Sequence, residues 1–210
     1  MITQVGKHRV QHGNVMNGID DLMQGDLADF IYSDPPWGQG NLRYWQTMNH
    51  KMTGANKVDI DYTEFLHKYF EIVSKYARDK IILEYGCQWR EDIIDWAKQY
   101  GFIHHATRVC YYKAGAKDLP CDLHFLSKSG AVSMTEIPSE DDIKDLRDLN
   151  LLQLLWESYA PKEVNIVLDP MCGMGFSAEM AMRWGAAFRG NELNEKRLQK
   201  TIDRLSKDQS

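Results

Sequence analysis

Four apolar runs of strand length, Ala28–Ser33, Lys80–Tyr85, Asn165–Asp169 and Ala187–Glu192, are separated by stretches whose apolar residues recur at helical spacing. Strands that alternate with helices in this way pair in parallel and bury both faces under the connecting helices, so the chain implies an α/β, doubly wound, mostly parallel sheet. A capping box of Asp61 and Glu64 opens one such helix, with Tyr62, Leu66, Tyr69, Val73 and Tyr76 on its apolar side. Trp89–Tyr100 reads as a second helix, stopped by Gly101. Ser139 is the expected cap of a helix that continues through Leu149–Trp156 and ends before Pro161. Ser177–Trp184 and Glu195–Leu205 read as the last two helices. Ile103–Tyr112 and Cys121–Ser127, joined by A-G-A-K-D-L-P, predict a long hairpin at one antiparallel edge. The two dozen or so residues after Trp37 read as a long loop, of a length that is usually functional or disordered.

A chain of 210 residues with 43% hydrophobic content suffices for one domain, expected to span 1–210. No run approaches the ~18 apolar residues of a membrane span, and Met1–Val10 has no apolar core behind Lys7 and Arg9. Cys87, Cys110, Cys121 and Cys172 contain no C-x-x-C pair, which argues against a zinc knuckle, a redox dithiol or a disulfide scaffold; the expectation is no metal, and a reducing cytoplasm. A net charge of −5 excludes a binder held to nucleic acid by phosphate neutralisation alone. Any such contact must be local. Pro35–Val58 holds no acid and carries Arg43, Lys51 and Lys57 beside Tyr44, Trp45 and His50, so these six are the candidate nucleic-acid contacts. Lys7, His8, Arg9 and His12 form a second basic cluster, whereas the acids between Glu136 and Asp148 read as a solvated helix face.

Two motifs stand at strand ends. In S-D-P-P-W, Ser33–Trp37, the chemistry suits an exocyclic amino group on a base, a poor nucleophile because its lone pair is delocalised into the ring. Two acceptors held against its N–H bonds draw the nitrogen towards a tetrahedral geometry as charge develops. The Asp34 carboxylate and the Pro35 carbonyl supply them, Pro35 and Pro36 stiffen the turn, and Trp37 offers a face for a base that has left its helix. In V-L-D-P-M-C-G-M-G-F-S-A, Val167–Ala178, a strand runs through a glycine-bearing turn into a helix. Gly173 and Gly175 allow close backbone approach, and Glu192, ending the next strand, can grip two ribose hydroxyls. The glycine pattern alone is also compatible with a simple turn. If the two preceding strands are neighbours where strand order reverses, both ligands meet in one crevice.

In these residues the chain resembles the amino-methyltransferases that methylate adenine N6 or cytosine N4 in nucleic acid with S-adenosylmethionine. D-P-P-W precedes D-P-M-C-G-M-G, the circularly permuted order of the β class, and the resemblance covers most of the chain. It implies a Rossmann-like sheet of seven strands, with Asp34, Pro35, Pro36 and Trp37 as the catalytic set. Asn14, Asp169, Pro170, Gly173, Gly175, Phe176, Ser177, Glu192 and Asn194 would bind the cofactor. The initial Asp of the tetrapeptide leans towards adenine over cytosine, and the resemblance implies adenine N6 in DNA, on a flipped or single-stranded base, as the substrate; cytosine N4, RNA adenosine, whose N6 writers also carry D-P-P-W, or a non-catalytic nucleic-acid-binding subunit are the alternatives. Three features depart from the family pattern. Gly13-Asn14 stands where many members carry G-D, H-P-x-x-K-P is missing, and only about 25 residues separate Leu126 from Leu151, too few for a target-recognition region. The expected target context is therefore short or relaxed, with a homodimer as another route to recognition.

Overall fold

The computed structural model describes residues 1–130 and 132–207. An eight-stranded sheet has the order β1-β2-β8-β7-β3-β4-β6-β5. Its strands are β1 (Ile2–Val5), β2 (His8–His12), β3 (Ala28–Ser33), β4 (Ala77–Tyr85), β5 (Ile103–Ala114), β6 (Lys117–Ser127), β7 (Ile166–Asp169) and β8 (Ala187–Glu192). The helices are α1 (Asp20–Met23), α2 (Gly38–Thr53), α3 (Tyr62–Tyr76), α4 (Arg90–Gln99), α5 (Glu140–Ile143), α6 (Asp148–Tyr159), α7 (Phe176–Arg183) and α8 (Glu195–Ser206). β2, β8, β7, β3 and β4 run parallel, while β1 and the β5–β6 hairpin close the two ends in antiparallel pairing.

The eighth strand is β1. Met1–His12 folds back as a hairpin, and β2 extends the sheet beyond β8, with Val10 opposite Gly190. The basic residues there are structural. Arg9 and Arg189 share the Asp26 carboxylate, and the His8 ring accepts the Phe188 N–H, so these side chains are engaged within the fold.

Helices cover both faces, as the alternation requires. One layer packs α3 and α4 on the sheet through Phe65, Tyr69, Phe70, Val73 and Ile93. The opposite layer packs α6, α7 and α8 through Leu152, Trp156, Met180, Leu198 and Leu205. Fully burying each such side chain contributes about 1.5–3 kcal/mol. At the centre, β3 and β7 pair directly, Phe30 with Val167 and Ile31 with Leu168. From these two strands the chain winds outwards in opposite directions, to β4 and to β8. The strands that precede the two motifs are therefore neighbours at the reversal of strand order.

Two expectations are corrected. The segment after Trp37 is not a long loop: Gly38–Thr53 forms α2, closed by Gly54 at φ 75°. The helix expected from Ser139 to Trp156 is two helices. Ser139 caps only α5, and the chain turns at the start of α6, where its first residue, Asp148, has a φ of 48° in the left-handed region.

Candidate active site

Asp34 and Asp169 leave adjacent parallel strands at the same edge of the sheet and border a single cavity of about 540 Å³. The D-P-P-W turn is pinned from several sides. The Pro36 carbonyl accepts hydroxyl hydrogen bonds from Tyr62 and Tyr85, each at 3.3 Å, and the Trp37 amide donates to Asn41 Oδ1 at 3.1 Å. Trp37 Nε1–H donates to Asp34 Oδ1 at 3.0 Å, and Tyr112 packs against the indole at a ring separation of 5.1 Å. Gly38 follows at φ 80°, where a Cβ would stand 2.6 Å from the Trp89 ring. Glycine is needed there for both conformation and space.

The second motif closes on itself in the same manner. Ser177 Oγ donates to Asp169 Oδ2 at 2.6 Å, and the Met171 amide donates to Oδ1 at 3.1 Å. Glu192, at the end of β8, accepts the Gly173 amide on Oε2 at 3.0 Å and the Asn194 amide on Oε1 at 2.7 Å. Each of its oxygens keeps a lone pair for a further donor. Asn194 caps α8 through Oδ1 and donates from Nδ2 to Asn49 Oδ1 of α2 at 3.0 Å. The Arg197 guanidinium stacks over Trp45 of α2 at 4.0 Å. Helix α2 thus lies as a cover between the D-P-P-W turn and the glycine turn, placing Trp45, Asn49 and Met52 in the cavity wall.

The cavity wall is acidic. Asp34 is exposed at the cavity, and desolvation by the surrounding walls, then the neighbouring charges of Glu84 and Asp169, push its carboxyl above the usual carboxylate range, against the Trp37 hydrogen bond, which lowers it. Asp169 is pushed up to about 7 by burial, opposed by Ser177 and the Met171 amide. Burial also raises Glu192 and Glu84. A cluster of acids around one cavity, with Asp169 and Glu192 buried, favours a ligand that carries positive charge.

Of the residues expected at the site, Asp34, Pro35, Pro36, Trp37, Asn14, Trp45, Asp169, Gly173, Phe176, Ser177, Glu192 and Asn194 line the cavity. Pro170 and Gly175 do not. Pro170 receives Asn191 Nδ2 on its carbonyl, and Gly175, at φ 81°, lets the turn approach Thr201 of α8. Arg43, Tyr44, His50, Lys51 and Lys57 are exposed on α2 and the segment after it, outside the cavity. The structure adds Tyr32, Glu84, Asn191 and Arg197 to the wall. For Glu84 the sequence held a signal, a lone acid inside the apolar run K-I-I-L-E-Y.

No protein-family model matches the chain, and no curated protein matches it in sequence. Solved structures do match in shape. M1.HpyAVI superposes with a TM-score of 0.64 at 17% identity over 93% of this chain and 97% of its own. TTHA0409 of Thermus thermophilus, assigned as a DNA modification methylase, gives 0.65 at 18% identity over 96% and 95%. The cytosine-N4-specific PvuII DNA methyltransferase gives 0.62 at 12% identity over 93% and 85%. M1.HpyAVI and TTHA0409 have each been solved with S-adenosylmethionine. The chain has the Rossmann-like fold of these methyltransferases, with the hairpin β1–β2 as part of its eight-stranded sheet.

Proposed function

We propose that the protein is an S-adenosylmethionine-dependent methyltransferase acting on the exocyclic amino group of adenine, N6, in DNA, in a short or relaxed sequence context, and that 1–210 works as a single catalytic domain. The observation that carries this reading is the shared cavity. The amide-and-carboxylate cradle of Asp169, Gly173 and Glu192 and the D-P-P-W acceptors face one space, so donor and acceptor can meet there.

The residues fit the cofactor by their chemistry. Asn191 Oδ1 is buried in the cavity wall without a partner among the described residues, an acceptor that awaits a donor. Glu192 would take the ribose hydroxyls, Asn14 the adenine edge, and the acidic wall the cationic groups. When bound, S-adenosylmethionine supplies an electrophilic methyl group on sulfur.

Asp34 and Pro35 accept the two N–H bonds of the target amine and direct its lone pair along the line of transfer. With both N–H bonds held, the amine would present its lone pair to the methyl group that the bound cofactor would supply. Asp34 would hold the proton released afterwards, a task suited to a carboxylate whose proton affinity is raised by desolvation and by the neighbouring Glu84 and Asp169. Trp37, Tyr112 and the α2 cover exclude water. Mass spectrometry of nucleosides from DNA and RNA of cells expressing the wild type or Asp34→Ala tests the reading. Methyladenine in DNA from wild-type cells alone is expected; equal levels with the variant overturn it, and methylcytosine or methylated RNA redirect the substrate assignment.

A further inference from the structure

The cysteine spacing in the sequence predicts no paired thiols, yet the hairpin brings two together. The β5–β6 ladder sets Cys110 directly opposite Cys121, with both thiols buried. Glu84 of β4 pairs with Leu123, two residues along β6 from Cys121, so its carboxylate falls on the same face of the sheet. The two sulfurs are 3.1 Å apart, and Cys121 Sγ lies 3.5 Å from Glu84 Oε1. The ligand atoms of all three residues lie within 4.8 Å of one another.

This spacing can be compared with a tetrahedral zinc ion. With Zn–S about 2.3 Å and Zn–O about 2.1 Å, ligands stand about 3.8 Å apart for sulfur to sulfur and about 3.6 Å for sulfur to oxygen. The Glu84–Cys121 separation of 3.5 Å already matches, and the sulfurs, at 3.1 Å, need to part by only about 0.7 Å. Glu84 Oε2 accepts the Tyr32 hydroxyl at 2.6 Å, an outer hydrogen bond that fixes the carboxylate as such bonds do around ligating side chains. The surroundings are negative, because the charge of Asp148 acts on Glu84 and that of Glu84 acts in turn on Asp34. Glu84 also lines the cavity, which gives an ion a route in, and three protein ligands leave a fourth coordination position unfilled by protein.

We infer that Glu84, Cys110 and Cys121 form a binding site for a thiophilic divalent cation of the zinc class, built into the cavity wall with one coordination position open. The inference does not depend on methyl transfer, and its test reads no activity. The reduced full-length protein is titrated with Co²⁺ and then with Zn²⁺. The expected result is a thiolate-to-cobalt charge-transfer band with tetrahedral visible bands, displaced stoichiometrically by Zn²⁺. Cys110→Ser/Cys121→Ser should lose the band, and Glu84→Gln should keep thiolate ligation with affinity for Zn²⁺ weaker by roughly tenfold or more. Thermal melts check that each variant folds; if the double variant does not, Cys121→Ser alone should reduce the charge-transfer intensity. Absence of the band in the wild type, or its persistence in a folded double variant, overturns the site.

Discussion

The Trp37 indole N–H holds the Asp34 carboxylate, donating to Oδ1 at 3.0 Å, so the aromatic residue of the tetrapeptide is tied to its acid as well as presenting a ring. Only Oδ2 is then free of that bond to meet a target amine. Trp37→Phe keeps an aromatic ring and removes the donor. A hydrogen bond to a charged group contributes roughly 1.5–3 kcal/mol, so single-turnover methylation should slow by roughly tenfold or more, with cofactor affinity unchanged. Because the bond lowers the pKa of Asp34, its loss should also move the acid limb of the rate profile to higher pH. An unchanged rate and profile would mean that the indole serves only to pack.

The acids of the wall predict how cofactor binding and stability respond to pH. Asp169 has its pKa raised to about 7 in the folded protein, so the fold binds its proton more tightly than the unfolded chain does. Stability should fall as pH rises from about 4 towards about 7, and Asp169→Asn should flatten that part of the curve. A sulfonium ligand reverses the preference, because it favours the ionised carboxylates. Its affinity should climb across the same window, by up to roughly tenfold per pH unit for each proton released. Calorimetry at about pH 6 and about pH 8 checks this against the neutral thioether product, whose affinity should change less.

Gly175 carries a prediction about stability. Its φ is 81°, and an added Cβ would meet Thr201 Oγ1 at 2.8 Å and the Thr201 Cα at 2.9 Å. The obstacle is partly backbone, so relief requires moving α8 away from the turn that presents Gly173. Gly175→Ala should cost about 2 kcal/mol or more and lower the melting temperature by roughly 4–8 °C. Gly173→Ala makes a useful control, since its Cβ would meet nothing within 4 Å and only its φ of 53° is strained. Equal melting temperatures for the two variants would show that close packing on Thr201 is unimportant.

The central elements were legible because each left a local pattern. β3, β4, β7 and β8 are apolar runs with two buried faces, and Asp61 caps α3 by accepting the Thr63 and Glu64 amides. Helix α2 left no such pattern. Besides Gly38 it buries only Leu42 and Asn49, and it is held by contacts distant in sequence, Gln39 with Ile60 and Tyr62, and Asn49 with Asn194. β1 and β2 were hidden because Arg9 and His8 are buried by partners, Asp26 and the Phe188 amide, that no local window contains. The Cys110–Cys121 pairing depended on one unknown, the position of the turn. Once Ala114 pairs with Lys117, the ladder leaves no other register. For the site, the D-P-P-W and glycine motifs located both halves; the acids beside them, Glu84 above all, came together only through strand pairing.

The exposed face of α2 and the segment beyond it supply the last prediction. Arg43, Lys51 and Lys57 point away from the cavity, and the cover they decorate borders the D-P-P-W turn, so a polyanion laid across it would bring a displaced base to the cavity mouth. Arg43 is 3.7 Å from Asp59, an exposed pair that contributes little and yields readily to phosphate. Each cation that neutralises a phosphate adds close to one unit to the slope of log affinity against log salt. Lys51→Ala and Lys57→Ala together should therefore reduce the slope for duplex DNA by roughly two, and weaken all sequences alike. Cofactor affinity should stay constant, because neither side chain reaches the cavity. Fluorescence anisotropy across a salt series reads the slope directly. A slope that survives both substitutions would move the DNA path off α2, to the Lys113 and Arg147 side of the cavity mouth.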